Sequence, residues 1–379
     1  MTPSATLLAS LVGINSVNPS LVPGAVGETD VARFVKSWLN ERGVQTEVHE
    51  AAASRPSVVA RVAGKGGGRS LLLCAHLDTV GVEGMADPFA PRVEGGRMYG
   101  RGTYDMKAGL AACMLALANI RPGELAGDIL LAAVADEEHA SLGVQDVLRR
   151  VRADAAIVTE PTSLQLCIAH KGFSWHEITT AGRAAHGSQP QLGVDAIAHM
   201  GRVLNRLEAL QAELRERSPH RLLGHGSLHA SLISGGQELS SYPAACSLQL
   251  ERRTLPAEDV ASVEGEIREI LDALGAEDPL FQARQRTILS RPPFSVSEDE
   301  PIVQTLLREA AGVLGSAPPT VGASFWMDAA FLAAAGIPTA AFGPHGAGAH
   351  AVDEWVDLES IDQCLEILLQ TIRCFAGPV

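Results

Sequence analysis

Three apolar runs of the chain are predicted to be buried strands, and each of them ends in residues that an apolar core excludes. Residues 71–75 lead into His76, ILLAAVA leads towards the pair Glu137 and Glu138, and ADAAIV leads towards Glu160. In an open doubly wound sheet, sites form outside the carboxyl ends of the strands. The pattern therefore predicts a sheet whose carboxyl edge collects histidine and carboxylate side chains.

The periodicity changes at about residue 172, where alternating strands and two long amphipathic helices begin. Their order of strand, helix, strand, strand, helix and strand predicts a small α+β domain. We therefore predict an α/β fold in which a doubly wound mixed sheet forms a catalytic domain of residues 1–172 and 288–379. Residues 173–287 are predicted to form an inserted, smaller α+β domain that acts as a lid or a dimerisation surface.

The remaining periodic segments predict the outer elements of the catalytic domain. These are helices at 3–14, 29–43, 142–150, 299–314 and 358–374, and strands at 44–50 and 56–63. The glycine cluster GKGGG follows the second of these strands. Because it lacks the spacing of a phosphate-binding loop, we predict a hairpin turn there.

Composition and charge limit the classes of function. Of the 379 residues, 46% are hydrophobic and 20% are charged, which is typical of a folded globular enzyme. The net charge of −14 argues against nonspecific binding to nucleic acid, which needs a basic surface. The apolar runs are too short to span a membrane, and no secretory signal is evident. Six cysteines without a CxxC pair predict reduced thiols in a cytoplasmic protein.

Glycine-rich loops contribute two further candidates to the same edge. Asp105 lies in GRGTYDMKAG directly before a helical segment, which it could equally cap. His350 lies in the loop HGAGAHAVDEWV. Asp78 follows His76 by two residues and could fix the tautomer of that histidine, although a histidine at a strand end can also be purely structural.

Two histidines and three carboxylates thus form a ligand set without thiolates: His76, Asp105, Glu138, Glu160 and His350. Nitrogen and oxygen ligands suit zinc, with cobalt or manganese as substitutes. Three carboxylates and one bridging hydroxide balance the charge of two divalent cations, whereas around one cation they would leave excess negative charge. The set therefore predicts two divalent metal ions, of which zinc is the simplest choice, in a hydrolytic arrangement.

The motifs that carry these residues resemble those of a known family. They are HLDTV, GRGTYDMKAG, DEEHASLG, TEPT and AHAVDEWV, together with GRAAHGSQP and ERRTLP in the inserted domain. The chain resembles the dinuclear-zinc metallopeptidases that include acetylornithine deacetylase, succinyl-diaminopimelate desuccinylase and glutamate carboxypeptidase. The resemblance spans nearly the whole chain.

The resemblance implies a role for each ligand. Asp105 would bridge the two metals. His76 and Glu160 would complete the first metal site. Glu138 and His350 would complete the second site. It also implies that the peptide bond after Asp105 is cis.

Glu137 resembles the general base of the family, which takes a proton from the bridging water and hands it to the leaving amine. The side chains of adjacent residues diverge, so Glu137 and Glu138 are expected to perform different tasks. Asp78 would orient the imidazole of His76 without being a metal ligand itself.

Two residues of the inserted domain match residues that contact the substrate in the family. His186 resembles the histidine that reaches a neighbouring subunit's site in dimeric relatives and stabilises the oxyanion; its alternative is a polar residue at a turn. Arg253 matches an arginine that binds a substrate carboxylate, or it is a surface arginine. Ser240 and Glu251 depart from the asparagine and aspartate common in relatives, which leaves the acyl group and the amine side chain open.

These observations predict a cytoplasmic metal-dependent amidohydrolase that cleaves the amide bond of an N-acyl amino acid by a metal-bridged hydroxide. The alternative within the same chemistry is a dipeptidase or glutamate-type carboxypeptidase that acts on a short peptide. A noncatalytic small-ligand binding protein and a nucleotide-binding α/β enzyme are rivals from other classes. Neither nucleic acid nor a membrane is an expected partner, and a homodimer through the inserted domain is possible.

Overall fold

The computed structural model describes residues 1–378, which fall into two compact units. The first unit consists of Met1–Ile168, Val296–Val321 and the chain from Met327 onward. The second unit consists of Ala169–Ser295 and the short segment Gly322–Trp326. Along the chain, the main segment of the second unit is thus inserted between two parts of the first.

The predicted domain boundaries at residues 172 and 288 both lie inside the second unit. The strand Gln282–Arg291 continues past residue 288 because it pairs along its length with Gly172–Ala181. After it, Phe294 and Ser295 pair with His170 and Ala169. The antiparallel pairing therefore extends the second unit at both of its ends.

A large mixed sheet forms the centre of the first unit. Its strands are, from one edge, Gln45–Glu50, Pro56–Val62, Ile129–Val134, Leu71–His76, Ala155–Val158, Thr339–Ala341, Leu166–His170 and Phe294–Ser295, and Thr320–Ala323 also pairs with Leu166–His170. The third, fourth and fifth of these are parallel neighbours, whereas the first three are joined by antiparallel pairs. The predicted α/β class with a mixed sheet is confirmed, and the three apolar strands do end at one edge.

The segment GKGGG does not form the predicted hairpin turn, because the strand Pro56–Val62 pairs with Ile129–Val134 and not with Leu71–His76. Its last glycine serves a close approach between backbones. A Cβ atom on Gly68 would lie 2.3 Å from the carbonyl oxygen of Ala376, so no larger residue fits without movement.

Helices cover the sheet of the first unit. They are Pro3–Val12, Thr29–Asn40, Ala108–Ala118, Leu142–Val147, Pro301–Leu314, Ala329–Ala334 and Leu358–Ala376. The helix Ala108–Ala118 is buried from its first residue to Leu117, since its alanines and other apolar residues leave no polar face. Gly109 allows it to approach the end of a strand, because a Cβ there would lie 2.1 Å from the carbonyl oxygen of Thr159.

A second, four-stranded antiparallel sheet in the first unit connects the two glycine-rich loops. Its strands are, in order, Gly346–Ala347, Trp355–Asp357, Arg97–Tyr99 and Arg92–Glu94. Trp355 pairs with Tyr99, so the segment before Asp105 is aligned with the segment after His350.

The second unit has an antiparallel sheet and two helices. The strand order is Ser227–Gly235, Ala245–Thr254, Gly172–Ala181 and Gln282–Arg291, and the helices are Ala196–Glu216 and Val260–Glu277. Side chains from both helices and from the sheet form its own apolar core. Asp195 and Asp259 cap the two helices through backbone N–H groups, which fixes where each helix begins. No helix among residues 1–378 is long and apolar enough to span a membrane.

Candidate metal centre

His76 lies at the end of its strand with a fully buried side chain. Its Nε2 atom is 3.1 Å from Oδ1 of Asp105 and 3.9 Å from Oε1 of Glu160. The neighbouring parallel strand, which ends at Val158, delivers Glu160 to this position two residues later. Strand geometry therefore brings His76 and Glu160 together, and the loop of Asp105 adds the second carboxylate.

His350 approaches the other oxygen of Asp105. Its Nε2 atom is 3.3 Å from Oδ2 of Asp105 and 3.1 Å from Oε2 of Glu138. Asp105 thus lies between the two histidines, with one carboxylate oxygen directed to each. The five residues predicted as ligands meet in one place.

Glu137 lies beside the same cluster. One group of potential metal ligands comprises His76, Glu137 and Glu160, and another comprises His76, Asp105 and Glu138. Within each group the ligand atoms lie within 4.8 Å of one another. The adjacent glutamates therefore both lie in the cluster, Glu137 with Glu160 and Glu138 with Asp105, and His76 belongs to both groups.

The carboxylate of Asp78 is buried and holds the segment of the two glutamates. It accepts the backbone N–H groups of Glu137 at 3.1 Å and Glu138 at 3.2 Å, and the Nδ2 amide of Asn18 at 2.7 Å. The contact with His76 differs from the prediction. Nδ1 of His76 is 3.0 Å from the backbone carbonyl oxygen of Asp78, whereas the carboxylate is 3.7 Å away, because that carboxylate is turned towards the three donors.

The loop of Asp105 is irregular and leads into the helix Ala108–Ala118. The peptide bond between Asp105 and Met106 is cis. The side chain of Asp105 does not cap the helix, whose N-cap residue is Lys107. The capping role considered from the sequence is therefore excluded, and the carboxylate is free to face both histidines.

Burial and charge act in opposite directions on the two imidazoles. Burial lowers the pKa of His76, but the hydrogen bond with Asp105 and the nearby carboxylates hold that pKa well above its ordinary value. Hydrogen bonds with Asp105 and Glu138 raise the pKa of His350 to about 10. Both histidines are thus in surroundings that attract positive charge.

Burial and neighbouring negative charge disfavour the charged form of the carboxylates in the cluster. Burial, together with the negative charge of Asp105, raises the pKa of Glu160 well above its usual range and also raises the pKa of Glu138. The Oε1 atom of Glu138 is buried without a hydrogen-bond partner. Because buried carboxylates require paired positive charge, the residues present fit divalent cations as their partners.

Two predicted site residues lie in the second unit. His186 is exposed, with its Nδ1 atom 2.7 Å from Oγ of Ser188. Arg253 binds Oε1 of Glu251 at 2.7 Å through Nε and lies over the ring of Phe173. Their roles towards substrate stay predictions.

Three residues near the cluster were not predicted from the sequence: Asn18, Arg101 and Glu354. All three are buried. Arg101 and Glu354 lie within quoted motifs, GRGTYDMKAG and AHAVDEWV, but no periodic pattern marks them. Asn18 has no sequence signal.

The sequence of the chain matches a known protein family and is similar to known proteins. Residues 72–373 match the family described as Peptidase family M20/M25/M40. An acetylornithine deacetylase of Proteus mirabilis (strain HI4320) is 30% identical over 352 residues, which are 90% of this chain and 89% of that protein.

Solved structures share the fold. Aminopeptidase PepT from Bacillus cereus has a TM-score of 0.81 at 18% identity and covers 99% of this chain and 98% of its own. The YXEP protein of Bacillus subtilis, described as a dinuclear metal binding peptidase from the M20 family, has a TM-score of 0.73 at 17% identity. That similarity covers 100% of this chain and 99% of the other.

Proposed function

Because this chain belongs to peptidase family M20/M25/M40 and is a metal-dependent amidohydrolase of the deacetylase or peptidase type, we propose that it hydrolyses N-acyl amino acids. The observation that carries this proposal is the position of Asp105, whose two oxygens face the Nε2 atoms of His76 and His350 at 3.1 and 3.3 Å. Family membership argues against the noncatalytic receptor and the nucleotide-binding enzyme considered from the sequence.

The proposed cofactors are two divalent metal ions, with zinc as the expected pair and cobalt or manganese as substitutes. His76 and Glu160 would hold one ion, Glu138 and His350 the other, and Asp105 both. Ions at these positions would polarise the substrate carbonyl and lower the pKa of a water molecule.

Glu137 is proposed as the general base. Burial first, and then the charge of Glu160, raise the pKa of Glu137 well above its usual range, which favours proton uptake. Its backbone N–H is held by the carboxylate of Asp78, which fixes the segment from which the side chain extends. In the proposed reaction Glu137 takes a proton from water as the water attacks the amide carbon. It returns that proton to the nitrogen as the carbon–nitrogen bond breaks, releasing a carboxylic acid and an amine.

Substrate recognition is proposed for the second unit. Arg253 carries a planar guanidinium that suits a substrate carboxylate, and Phe173 supports it from one side. His186 is proposed to donate a hydrogen bond to the oxyanion. The deacetylase relative supports an acyl amino acid, and a short peptide remains the alternative substrate.

We also propose a homodimer through the second unit. Its edge strand Ser227–Gly235 pairs on one side only and exposes Leu232 and Ile233 by 65% and 56%. An exposed apolar edge strand of this kind favours pairing with another strand.

The proposed compartment is the cytoplasm, since the six cysteines are all free thiols.

A reconstitution experiment tests the proposal. The protein is stripped of metal with a chelator and titrated with zinc, cobalt or manganese. Each form is then assayed with N-acetyl amino acids, N-succinyl amino acids and dipeptides. We expect two equivalents of metal and hydrolysis of an N-acyl amino acid. Full activity in the stripped protein, or preference for dipeptides alone, would contradict the proposal.

A further inference from the structure

The buried carboxylate of Glu354 accepts four hydrogen bonds from a single segment. Oε1 accepts the backbone N–H groups of Tyr104 at 2.8 Å and Asp105 at 3.0 Å. Oε2 accepts the backbone N–H of Gly102 at 2.9 Å and Nη1 of Arg101 at 2.6 Å. Glu354 therefore binds the loop that carries Asp105, the central carboxylate of the candidate metal centre.

Arg101 extends this contact to two other loops. Its Nη2 atom donates to the carbonyl oxygen of Ala351 at 3.1 Å, directly after His350. Its Nε atom donates to the carbonyl oxygen of Gly81 at 3.1 Å, in the loop that follows Asp78. One buried ion pair thus connects the loops of Asp78, Asp105 and His350.

We infer that Glu354, with Arg101, is a positioning residue that sets the distance between Asp105 and His350, two of the residues proposed to hold the second ion. This inference rests on the proposed function, in which Asp105 is shared by two ions. Glu354 itself is fully buried. It acts through the backbone of Asp105 and through its place four residues after His350.

The substitution Glu354→Gln isolates this role, because it changes one oxygen into an amide group and keeps the size of the side chain. In one amide orientation the new NH₂ faces the N–H groups of Tyr104 and Asp105. In the other it faces Gly102 and Arg101. Two donors lose their acceptor either way, and the Arg101 guanidinium loses its counter-charge.

The effect should be uneven between the two metal sites. His76 and Glu160 are held by the ends of parallel strands, which do not depend on Glu354. Asp105 and His350 lie on loops that the Glu354 and Arg101 pair connects. We therefore expect Glu354→Gln to weaken binding of the second ion by about 10- to 100-fold, and to weaken binding of the first ion less, because that ion shares Asp105 but keeps His76 and Glu160.

A matched control separates positioning from a general loss of stability. Glu258 in the second unit also pairs with a buried arginine, Arg252, at 2.7 Å and also accepts a backbone N–H, that of Leu255, at 2.7 Å. Glu258→Gln therefore makes the same chemical change away from every proposed ligand. It should leave metal binding at its original stoichiometry.

The experiment is a zinc titration of chelator-stripped protein by calorimetry, with elemental analysis after dialysis and thermal unfolding as a test of folding. Wild type and Glu258→Gln are expected to bind two ions, and Glu354→Gln to retain one. Glu354→Asp keeps both oxygens and should recover part of the second binding step. Two ions of unchanged affinity in a folded Glu354→Gln protein would overturn the inference. No metal binding by wild type would instead overturn the proposed function.

Discussion

Nδ1 of His76 is 3.0 Å from the backbone carbonyl oxygen of Asp78, and this contact orients the imidazole so that Nε2 faces Asp105. The side chain of Asp78 is thereby released for a second task, because its oxygens accept the backbone N–H groups of Glu137 and Glu138. A single residue thus positions a histidine through its main chain and two glutamates through its carboxylate.

Asp78→Asn should lower turnover more than metal content. The main-chain contact with His76 survives the substitution, but the new amide group must face at least one N–H donor that the carboxylate accepted. We expect kcat to fall by about tenfold or more while the site of His76 keeps its ion. Steady-state kinetics beside elemental analysis checks this, and loss of both ions would show that the carboxylate supports the histidine instead.

Glu137→Ala should retain both metal ions and lose nearly all turnover. The substitution removes the proposed proton acceptor but leaves all five proposed ligands in place. We expect kcat to fall by about 10²- to 10⁴-fold. The measurement is kcat with reconstituted zinc protein beside its metal stoichiometry. A variant that lost one ion would assign Glu137 as a ligand and reverse the roles of the glutamate pair.

Arg55→Met should destabilise the first unit strongly. Arg55 binds both oxygens of the buried Glu28 at 2.8 and 2.7 Å and Oδ1 of the buried Asp136 at 2.6 Å. Without it, two carboxylates remain buried and uncompensated, which costs about 3–5 kcal/mol in the free energy of unfolding. Urea denaturation of the metal-free protein measures this cost.

The control for that experiment is Arg33→Met, which breaks an exposed pair of similar length. Arg33 and Asp30 are 2.7 Å apart, but their side chains are 69% and 65% exposed. Exposed pairs contribute about 0–1 kcal/mol, so the unfolding midpoint should barely move. Equal losses of unfolding free energy in the two variants would mean that burial is not the reason why Arg55 stabilises the protein.

The second unit should lose stability as the pH falls through about 6.5 because of His176. Burial lowers the pKa of this histidine below 6.5 in the folded protein, against a smaller opposing influence of Glu264. The unfolded chain then takes up a proton at a pH at which the folded chain does not, so acid favours unfolding. Stability at neutral pH is unaffected, since the ring is neutral in both states.

His176→Gln tests this prediction. The amide can still reach Oγ of Ser174 and Oγ1 of Thr287, which contact the ring at 2.8 and 3.2 Å, but it does not titrate. Unfolding free energies measured at several pH values between about 7.5 and 5.5 should fall less steeply in the variant. Parallel curves for the two proteins would assign the acid sensitivity to other groups.

The sequence predicted those parts of the site that regular structure positions. Parallel strands must end at a common edge, so apolar runs leading to His76, Glu137 and Glu160 sufficed to bring these residues together. Asp105 and His350 lie on loops outside the parallel strands, and the glycine-rich segments around them made them candidates. The pattern of the residues thus gave the ligand set, and the family resemblance gave each ligand its expected role.

Long-range contacts between isolated residues could not be predicted. Arg101 and Glu354 are separated by 253 positions, and neither belongs to a periodic segment that would reveal its partner. The predicted contact between the Asp78 carboxylate and His76 was not found for a related reason. The carboxylate is turned towards the backbone N–H groups of Glu137 and Glu138, which follow the end of another strand. The glycines of GKGGG were misinterpreted because a turn and a close backbone approach require the same residue.

The ends of the inserted segment are neighbours, since Ala169 and Ser295 are paired in antiparallel register. A module whose entry and exit points coincide can be lengthened, replaced or removed without stretching the chain that hosts it. Evolution could therefore exchange the part proposed to recognise substrate while the hydrolytic centre remained intact. Grafting this segment from a relative with different specificity is a natural route to redesign.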